Sequence, residues 1–485
     1  MKFLDQIRRY LQVLLLIGAV ASLSESAFAF PEHLFVLTSD FPASGNSAAL
    51  DILPPWNPQV DLEPVGARAT LRHFQGQHYV VNHSPLDNVQ VIDPETFDTV
   101  LEFPVGSGTD PRDIAWIDDQ IAYVSCWNSQ WLYRMDPSSG AMLDSLSLAG
   151  FSDPDGLPEM GTMARDGDHL LVQIRRLDRQ ANLTPVPPSY LAVVDVTTNQ
   201  LVDVDPIEPG VQGIELQGTV PSFKMQLEAR RLFVSVPGIW FESDGGIEEI
   251  DLDNLQSLGF LTSEVQIPAA QMGTFILVSP EKGYVINHTD IVLSSHLMSF
   301  SRLDGSPLAQ VMFTLETVVE NLAFDPATHQ LFFPDSGSPV PGVRVLDTST
   351  DTELTTSPVT TGMPPRDLVV ARPPGPVAVG REETRWTGTG DIRRGSGFTG
   401  ISPNPFNPQT TIGYYLDEQK TVCVSVYDIF GRRLIVLVDQ LLEAGTHTVE
   451  WNGRDSASLL VSSGIYVVRI ETPDELDSRQ IVLIR

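Results

Sequence analysis

The chain has 485 residues, of which 62 are acidic and 30 basic, giving a net charge of −32. A negative charge of this size repels phosphate backbones, so nucleic-acid binding is disfavoured. Hydrophobic residues make up 42% of the chain, enough for a sizeable core, which argues against extended disorder. The 36 glycines and 37 prolines indicate many turns, and therefore short strands rather than long helices. The composition predicts an acidic, turn-rich, all-β protein.

Residues 1–29 have the pattern of a secretory signal peptide. Lys2, Arg8 and Arg9 form a basic start, residues 11–23 are almost wholly apolar, and Ala27 and Ala29 are small residues at the two cleavage positions. The apolar run is shorter than the roughly 18–20 residues of a membrane-spanning helix, which disfavours an uncleaved anchor. We therefore expect a protein that is secreted or held at the outer cell surface after periplasmic transit, with no membrane span after cleavage.

Residues 30–372 contain a repeat of two β runs followed by a polar turn. The first run of each copy is a second-strand candidate, and the next run reaches an Asp about every 40 to 60 residues, the length of four short strands and their turns. The seven second-strand candidates are 34–37, 78–81, 121–125, 170–174, 232–236, 283–286 and 330–333. The seven acids that follow are Asp51, Asp93, Asp136, Asp195, Asp251, Asp304 and Asp347.

The copies are out of phase with the ends of this region. The first copy lacks a leading strand, whereas the last copy is followed by an extra one, residues 365–371, whose Pro-Arg-Asp start matches residues 111–113. We expect this extra strand to insert beside the first copy, with residues 368–371 alongside 34–37. Such closure removes the exposed sheet edges that recruit other chains.

The repeat resembles the YVTN-type β-propeller family. The copy that carries the resemblance best is residues 78–82, His-Tyr-Val-Val-Asn, followed by residues 88–93, which end in Ile-Asp. The copies around residues 170–195 and 232–251 are longer and depart from the pattern. The resemblance implies a seven-bladed β-propeller over 30–372 and gives no activity.

Residues 373–400 read as an exposed linker, rich in Pro, Gly and charge. A Gly-rich stretch at 388–395 superficially resembles a nucleotide-binding loop, but it has no strand before it and no helix after it, so a dinucleotide site is not expected. From residue 401 to 485, six short alternating runs with turns between them predict a small β-sandwich. Val422, Val424 and Val426 should face one way, with Trp451 and Tyr466 as large core side chains.

The order and spacing of several motifs in 401–485 resemble the type A C-terminal sorting domain of type IX secretion cargo, and equally the immunoglobulin-like domain of the flagellar hook-capping protein FlgD. The residues that carry the resemblance are Asn404, Pro405, Phe406, Asn407, Pro408, Tyr427, Asp428, Gly431, Arg432, Trp451, Gly453, Ser463, Gly464 and Tyr466. The loop 455–461 departs from it, with Ala457-Ser458-Leu459-Leu460 where a Gly is usual. The resemblance implies a non-catalytic module recognised by outer-membrane secretion or sorting machinery.

Propellers place two sets of loops on one face, those after each second strand and those leading into each innermost strand. These loops give candidate ligand-binding residues at the channel mouth. The candidates are Asn82, His83, Arg112, Asp113, Trp127, Asn128, Arg175, Trp240, Asn287, His288, Asp335, Arg366 and Asp367. The structural alternative is that polar residues end strands here and that Arg-Asp pairs brace neighbouring blades.

No catalytic constellation is recognisable. The chain lacks a Gly-x-Ser-x-Gly elbow and a Cys/His pairing, and its two cysteines, Cys126 and Cys423, lie in separate predicted domains where a disulfide is not expected. His83 and His288 have no carboxylate tied to them in sequence, and Asp153-Pro154-Asp155-Gly156 lacks the spacing of a calcium loop. We expect no metal and no cofactor.

The function predicted from these patterns is an exported or cell-surface propeller that binds an unidentified protein or glycan, joined to a C-terminal sorting or attachment sandwich. The alternative is an exported propeller enzyme of lactonase, lyase or hydrolase type, with its site at the channel mouth. Fold alone does not license that assignment. A redox quinoprotein is disfavoured because its characteristic Trp-docking repeats are missing.

Overall fold

A computed structural model describes residues 32–373 and 397–483. Within these ranges it leaves out 206, 209, 223, 240, 241, 268, 270, 289–293, 315–318, 403–405, 407, 417, 418, 429–432, 455, 457–459, 462, 463 and 473–475. The predicted signal peptide and most of the predicted linker lie outside the described residues. The chain divides into two compact units, Met1–Pro374 (unit 1) and Gly375–Arg485 (unit 2).

The described part of unit 1 is built almost entirely of antiparallel sheets, which we number in chain order. Its strands are β1 (His33–Ser39), β2 (Gly45–Asp51), β3 (Pro58–Gln59), β4 (Ala69–Phe74), β5 (Gln77–Asn82), β6 (Asn88–Ile92), β7 (Thr99–Pro104), β8 (Pro111–Trp116), β9 (Ala122–Cys126), β10 (Trp131–Met135), β11 (Met142–Ser147), β12 (Met160–Asp166), β13 (His169–Ile174), β14 (Leu177–Asp178), β15 (Thr184–Pro185), β16 (Tyr190–Asp195), β17 (Gln200–Leu201), β18 (Ile214–Glu215), β19 (Met225–Glu228), β20 (Arg231–Val236), β21 (Gly246–Asp251), β22 (Gln256–Ser263), β23 (Gln271–Leu277), β24 (Lys282–His288), β25 (Ser295–Ser301), β26 (Pro307–Thr314), β27 (Ala323–Asp325), β28 (Gln330–Asp335), β29 (Gly342–Asp347), β30 (Thr352–Glu353), β31 (Val359–Thr360) and β32 (Pro365–Ala371).

These strands form seven sheets of four or five strands and one short hairpin, β14-β15. The strand orders are β32-β1-β2-β3 in sheet 1, β4-β5-β6-β7 in sheet 2, β8-β9-β10-β11 in sheet 3, β12-β13-β16-β17 with β18 in sheet 4, β19-β20-β21-β22 in sheet 5, β23-β24-β25-β26 in sheet 6 and β27-β28-β29-β30 with β31 in sheet 7. One 3₁₀ turn, Ala149–Phe151, is the only helical element that the described residues contain. No described helix has the length and hydropathy needed to cross a membrane.

The last strand of unit 1 completes the first sheet, as the sequence predicts. Strand β32 pairs antiparallel with β1, with Leu34 opposite Val370 and Val36 opposite Leu368. Each sheet also touches the next along the chain, and sheet 7 touches sheet 1 through β27, β28 and β32. The sheets therefore form a closed ring whose first sheet combines both ends of the array.

Strand β1 binds the two neighbouring sheets through its two faces, because successive side chains of a strand point to opposite sides. Leu34 and Val36 pack with Leu368 and with Phe332 of sheet 7. Phe35 and Leu37, on the other face, pack against sheet 2. All four β1 side chains are buried. The fully apolar segment 34–37 is thus the joint at which the ring closes.

Three histidines lie beside this joint. The Nε2 atoms of His33 in β1 and His78 in β5 are 3.0 Å apart, and the Nδ1 atoms of His78 and His73 in β4 are 3.3 Å apart. The Nε2 of His73 lies 3.2 Å from the carbonyl oxygen of Arg372, just after β32. Burial lowers the pKa of His73 to about 4 and that of His78 well below its ordinary value. The three rings connect sheet 2 to both chain segments at the closure.

Unit 2 contains two antiparallel sheets. Its strands are β33 (Gly397–Ser402), β34 (Thr410–Leu416), β35 (Lys420–Asp428), β36 (Arg433–Leu442), β37 (Gly445–Trp451), β38 (Gly464–Glu471) and β39 (Leu476–Leu483). They pair in the orders β33-β34-β37 and β36-β35-β38-β39. Strand β33 begins four residues before the predicted start of the second domain, inside the predicted linker. Its sequence, Gly-Phe-Thr-Gly-Ile-Ser, lacks the regular alternation of apolar residues that predicts the later strands.

The core of unit 2 contains the side chains predicted to form it. Val422, Val424 and Val426 are fully buried, and Trp451 and Tyr466 pack in the same cluster. Phe406, from the Asn-Pro-Phe-Asn-Pro motif, lies 5.5 Å from the ring of Trp451. Both cysteines are free, Cys126 buried and Cys423 partly buried.

Substitution of Leu368 by Ala should destabilise unit 1 by about 2–5 kcal/mol, the usual cost of a cavity left by a buried Leu. Leu368 is 1% exposed and packs where sheets 1 and 7 meet. Urea unfolding followed by tryptophan fluorescence measures the change. Leu303→Ala, at a side chain that is 82% exposed, is the matched control and should change stability little. Equal stability of the two variants would contradict closure by β32.

Candidate functional site

The two predicted sets of loops meet at one end of the sheets. The start of each inner strand pairs with the end of its neighbour: Ala69 lies opposite Asn82, Pro111 opposite Cys126 and Met160 opposite Ile174. Residues just after the second strands therefore lie near residues that begin the inner strands. This end of unit 1 carries the candidate site.

The acids of the two Pro-Arg-Asp segments brace neighbouring sheets. Asp113 Oδ1 accepts a hydrogen bond from the amide of Ile114, and Oδ2 accepts one from the amide of Met163 in sheet 4. Asp367 does the same with the amide of Leu368 and with that of Leu71 in sheet 2. Both acids are buried. Asp113 and Asp367 therefore brace neighbouring sheets, which was the structural alternative to a role in ligand binding.

A layer of charged side chains surrounds the two acids. The Nε of Arg72 lies 2.8 Å from Asp113 Oδ1. Asn321 Nδ2 donates to Asp367 Oδ1, and Lys224 Nζ donates to Asn321 Oδ1 and to the carbonyl of Leu322. Burial lowers the pKa of Lys224 to about 8, against the raising effect of Asp367. The charges of the two acids are thus balanced by those of Arg72 and Lys224, and this layer belongs to the framework.

Next to this layer, two arginines lie against one tryptophan. The guanidinium carbons of Arg112 and Arg175 are each 4.7 Å from the centre of the Trp127 ring. The backbone of Trp127 is fixed on both sides, because its amide donates to the carbonyl of Asp110 and its carbonyl accepts from Arg179. Sheets 3 and 4 thus hold two cations on an aromatic platform, an arrangement that is favourable for each cation.

Arg112 and Arg175 differ in their partners. Arg112 Nη2 donates to Asp110 Oδ2 at 2.6 Å. Within the described residues the Arg175 side chain makes no ion pair or hydrogen bond, and its buried Nε has no partner. Burial, followed by the nearby Arg112, lowers the pKa of Arg175 to about 9, against the raising effect of Glu159. Arg175 is a partly buried cation that has no ion-pair partner among the described residues.

His83 joins the same group from sheet 2. Its Nδ1 is 3.4 Å from Arg112 Nη1, and its Nε2 is 3.1 Å from Thr70 Oγ1. Burial, together with the charges of Arg112 and Arg68, lowers the pKa of His83 to about 3. A neutral ring that accepts from Arg112 at Nδ1 and donates to Thr70 from Nε2 fits both contacts. We call Arg68, His83, Arg112, Trp127 and Arg175 the arginine cluster.

Two further charges flank the arginine cluster. Glu320 precedes the inner strand of sheet 7, Arg366 is the second residue of β32, and the charges of Arg366, Arg68 and Arg112 all act on the Glu320 carboxyl. Desolvation by the surrounding protein and the nearby Asp367 nevertheless raise the pKa of Glu320. Glu320 is exposed, so it places a carboxylate beside the arginine cluster.

An acidic group lies beside the cluster in sheet 4. Ligand atoms of Asp153, Asp155 and Glu159 all lie within 4.8 Å of one another. Arg179 supplies a cation, with Nη2 at 3.3 Å from Glu159 Oε1, and the amide of Leu177 donates to Glu159 Oε2. Burial raises the pKa of Glu159 to about 7. The Asp153-Asp155 loop lacks the spacing of a calcium motif, and its sequence gives no sign that Glu159 and Arg179 lie beside it.

The other candidate mouth residues lie elsewhere or have partners of their own. Asn82 is buried and bonds to the amide of Gly66 and the side chain of Asn88. Asp335 accepts from Thr314 Oγ1 and lies near Arg344. Asn287 and His288 are buried in β24, where burial lowers the pKa of His288 to about 4. Asn128 is exposed, and Trp240 lies outside the described residues.

In unit 2, the motif side chains that the structure describes are mostly core or framework. Trp451 Nε1 donates to the carbonyl of Arg454, and the guanidinium of Arg469 lies 5.2 Å from the Tyr427 ring. Gly453 has φ of 67°, in the left-handed region that favours Gly. The residues Asn404, Pro405, Asn407, Gly431, Arg432 and Ser463 lie outside the described residues.

Sequence reasoning missed Arg68, Asp110 and Glu320 near the site. Glu320-Asn321-Leu322 occupies the place in sheet 7 that Arg112-Asp113-Ile114 has in sheet 3, and Asn321 donates to Asp367 in the next sheet. Aligning the repeats on this position would have identified Glu320. No sequence signal marks Arg68, whose guanidinium carbon lies 4.4 Å from the ring of Phe41.

Comparison with known proteins identifies the class of fold. No family model and no curated protein matches the chain. A structure from Bacteroides fragilis, described as a candidate 6-phosphogluconolactonase, aligns with a TM-score of 0.50 at 15% identity, covering 70% of this chain and 97% of that one. A protein from Lactobacillus plantarum aligns with a TM-score of 0.50 at 14% identity, covering 71% of this chain and all of that one. Unit 1 has a β-propeller-like fold. At these identities the likeness concerns the fold alone.

In the native protein, His83 should stay neutral down to about pH 4, because its pKa is about 3. Replacing Arg112 by Met removes one of the two cations that depress this pKa, so the pKa should rise by about a unit or more. Proton NMR titration of the imidazole signals, assigned with a His83→Asn variant, measures it. Arg230→Met, which removes a cation elsewhere, should leave the value unchanged. Titration of His83 near 6.5 in the native protein would contradict its assigned environment.

Proposed function

We propose that this chain is an exported or cell-surface seven-bladed β-propeller that binds a ligand at the mouth of its ring, and that unit 2 is an immunoglobulin-like module for sorting or attachment. The observation that carries the binding function is the arginine cluster. Its donors and its aromatic platform converge from sheets 2, 3 and 4 at one end of the strands, and Arg175 has no described partner. Convergent polar groups in a confined opening are typical of ligand sites.

The count of seven blades is supported by the seven sheets and by the insertion of β32 beside β1. A ring closed by its own last strand has no free edge at the joint. The site therefore forms on a framework whose strands are fixed before any ligand arrives, so binding costs little ordering of the backbone.

The proposal for unit 2 is supported by its two small antiparallel sheets and by its shared core of Phe406, Trp451 and Tyr466. The motif order, which resembles type A sorting domains, favours recognition by outer-membrane secretion machinery. The predicted signal peptide agrees with that route. The proposal therefore includes cleavage of the signal peptide near residue 29, followed by secretion or surface display.

One observation favours the alternative of a propeller enzyme. Glu159 has a pKa raised to about 7, as a general acid or base would, and it lies within 4.8 Å of two other carboxylates. Its side chain is, however, fully buried, accepts a hydrogen bond from the amide of Leu177 and forms an ion pair with Arg179. A group that no substrate can touch cannot transfer a proton to it, so we prefer the binding function.

Removal of residues 397–485 should leave unit 1 folded but prevent release or surface display. Fractionation of the native host, with surface labelling, compares the truncated chain with the full one. Retention of the β-rich circular dichroism spectrum and of cooperative unfolding serves as the folding control. Unchanged surface display of the truncated chain would refute the sorting role.

A screen of mono- and oligosaccharides and short peptides by thermal unfolding should yield a ligand that stabilises the full chain. A ligand at 100 times its Kd adds about 2.7 kcal/mol, a readily measured rise in Tm. Trp127→Ala should abolish that rise because it removes the platform of the arginine cluster. Trp131→Ala is the matched control, since Trp131 is 40% exposed at the start of β10 and no described arginine stacks on its ring. An equal rise in both variants would place the ligand elsewhere.

A further inference from the structure

The charge of the arginine cluster is opposite to that of the protein. The chain carries −32 overall. The guanidiniums of Arg68, Arg112 and Arg175 form the cluster, Arg366 and the exposed Glu320 flank it, and Arg112 pairs with the buried Asp110. The acidic group of Asp153, Asp155 and Glu159 lies on one side with its own cation, Arg179, so the positive charge is local to the arginines around Trp127. Positive charge collected in one confined opening of an acidic protein raises the local concentration of anions there.

Arg175 adds a structural reason to expect an anion. A partly buried guanidinium with no ion-pair partner is stabilised by its contact with Trp127, and an anion beside it would stabilise it further. Burial lowers the pKa of Arg175 only to about 9, so its side chain stays charged at neutral pH. The nearby Glu159 has its own partners in Arg179 and Leu177. Arg175 thus retains unused donors beside Trp127.

Arg112 lies on the same tryptophan and is held by neighbouring side chains. Its Nη2 is held by Asp110, its Nη1 lies near His83, and its buried Nε has no hydrogen-bond partner. Each guanidinium carbon lies 4.7 Å from the centre of the Trp127 ring, and a side chain held by such a contact loses less entropy when its planar fork binds a carboxylate or phosphate. His83 remains neutral at its pKa of about 3, so it adds no charge but can hold Arg112 in place.

We propose that the ligand of this mouth carries an oxyanion, a carboxylate or a phosphate, which the guanidiniums of Arg112 and Arg175 bind beside Trp127. This inference rests on the proposed binding function and specifies its ligand class. Arg68 contributes attraction as an exposed charge, and Glu320 opposes binding of a second negative group next to the first. The site therefore suits a small ligand with one oxyanion rather than a polyanion.

Titration of the full chain with inorganic phosphate and with glucuronate, at constant ionic strength in chloride, tests the proposal. Isothermal titration calorimetry and the shift in Tm are the readouts, and glucose is the neutral match for glucuronate. Saturable binding of phosphate, glucuronate or both, and none of glucose, is the expected result. Binding of phosphate alone or glucuronate alone identifies which oxyanion the fork accepts. No saturable binding of either anion would overturn the inference.

Variants separate a site from general charge effects. Arg175→Met and Arg112→Met should each weaken anion binding about tenfold to a hundredfold, the usual effect of losing a hydrogen bond to a charged group. Arg230→Met removes the same charge at the turn between β19 and β20, where Arg230 pairs with Asp166 and Asp253, and should bind as the native chain does. Equal weakening in all three variants would show a diffuse charge effect and refute the site.

Two conservative variants keep the test valid if a Met variant fails to fold. Arg175→Lys and Arg112→Lys retain the charge but lose the planar fork. They should weaken binding of the anion while leaving the Tm measured in chloride unchanged. Native affinity in both would refute bidentate recognition by the fork. The ligand screen could instead yield a neutral ligand whose binding is lost in Trp127→Ala and unchanged in Arg175→Met. In that case the anion inference fails and the binding function stands. If neither anions nor any screened ligand binds, both fail.

Discussion

Backbone amides of neighbouring inner strands share the same carboxylates, and the rest of unit 1 depends on this linkage. Asp113 connects sheet 3 to sheet 4, and Asp367 connects sheet 1 to sheet 2. A buried carboxylate is costly unless hydrogen bonds and a cation compensate it. Burial raises the pKa of Asp113, whereas Arg72 and the amides of Met163 and Ile114 act in the opposite direction. The acid is therefore tolerated only while the two sheets stay in register.

This linkage also determines where the arginines lie. Arg112 and Arg366 each precede a bracing acid, and adjacent residues of a strand point to opposite sides. When Asp113 turns toward the framework, Arg112 is directed away from it, toward Trp127 and Asp110. In sheet 3 the two residues of the pair thus differ: Asp113 braces the neighbouring sheet, whereas Arg112 lies in the proposed ligand site. If the acid were one residue earlier or later in the strand, it would point to the other side and could not brace the next sheet.

The sequence predicts much of the framework because its signals are local. The alternating runs predict the second strand of every sheet of unit 1, and the repeated Pro-Arg-Asp predicts that β32 lies beside β1, which the register confirms. Valines at 422, 424 and 426 predict the core face of β35. The site is harder to predict because its members come from different sheets. His83, Arg112, Trp127 and Arg175 could be placed at one end of the strands, but neither their convergence nor the pairing of Asp335 with Thr314 follows from local pattern. Arg68 and Glu320 lie in segments whose neighbours carry no periodicity.

A cationic site in a strongly acidic protein should distinguish small anions from large polyanions. Beyond about 8 Å at physiological ionic strength, salt screens the arginine cluster, and an approaching polyanion meets the summed negative charge of the surface. A small ligand with one oxyanion is repelled far less on approach, and within the opening it is close to Arg112 and Arg175, where screening is weak. The Nε atoms of both arginines are buried, which places these cations partly out of water. For the proposed anion site, long-range repulsion and short-range attraction would together favour small anions over polyanions such as nucleic acids.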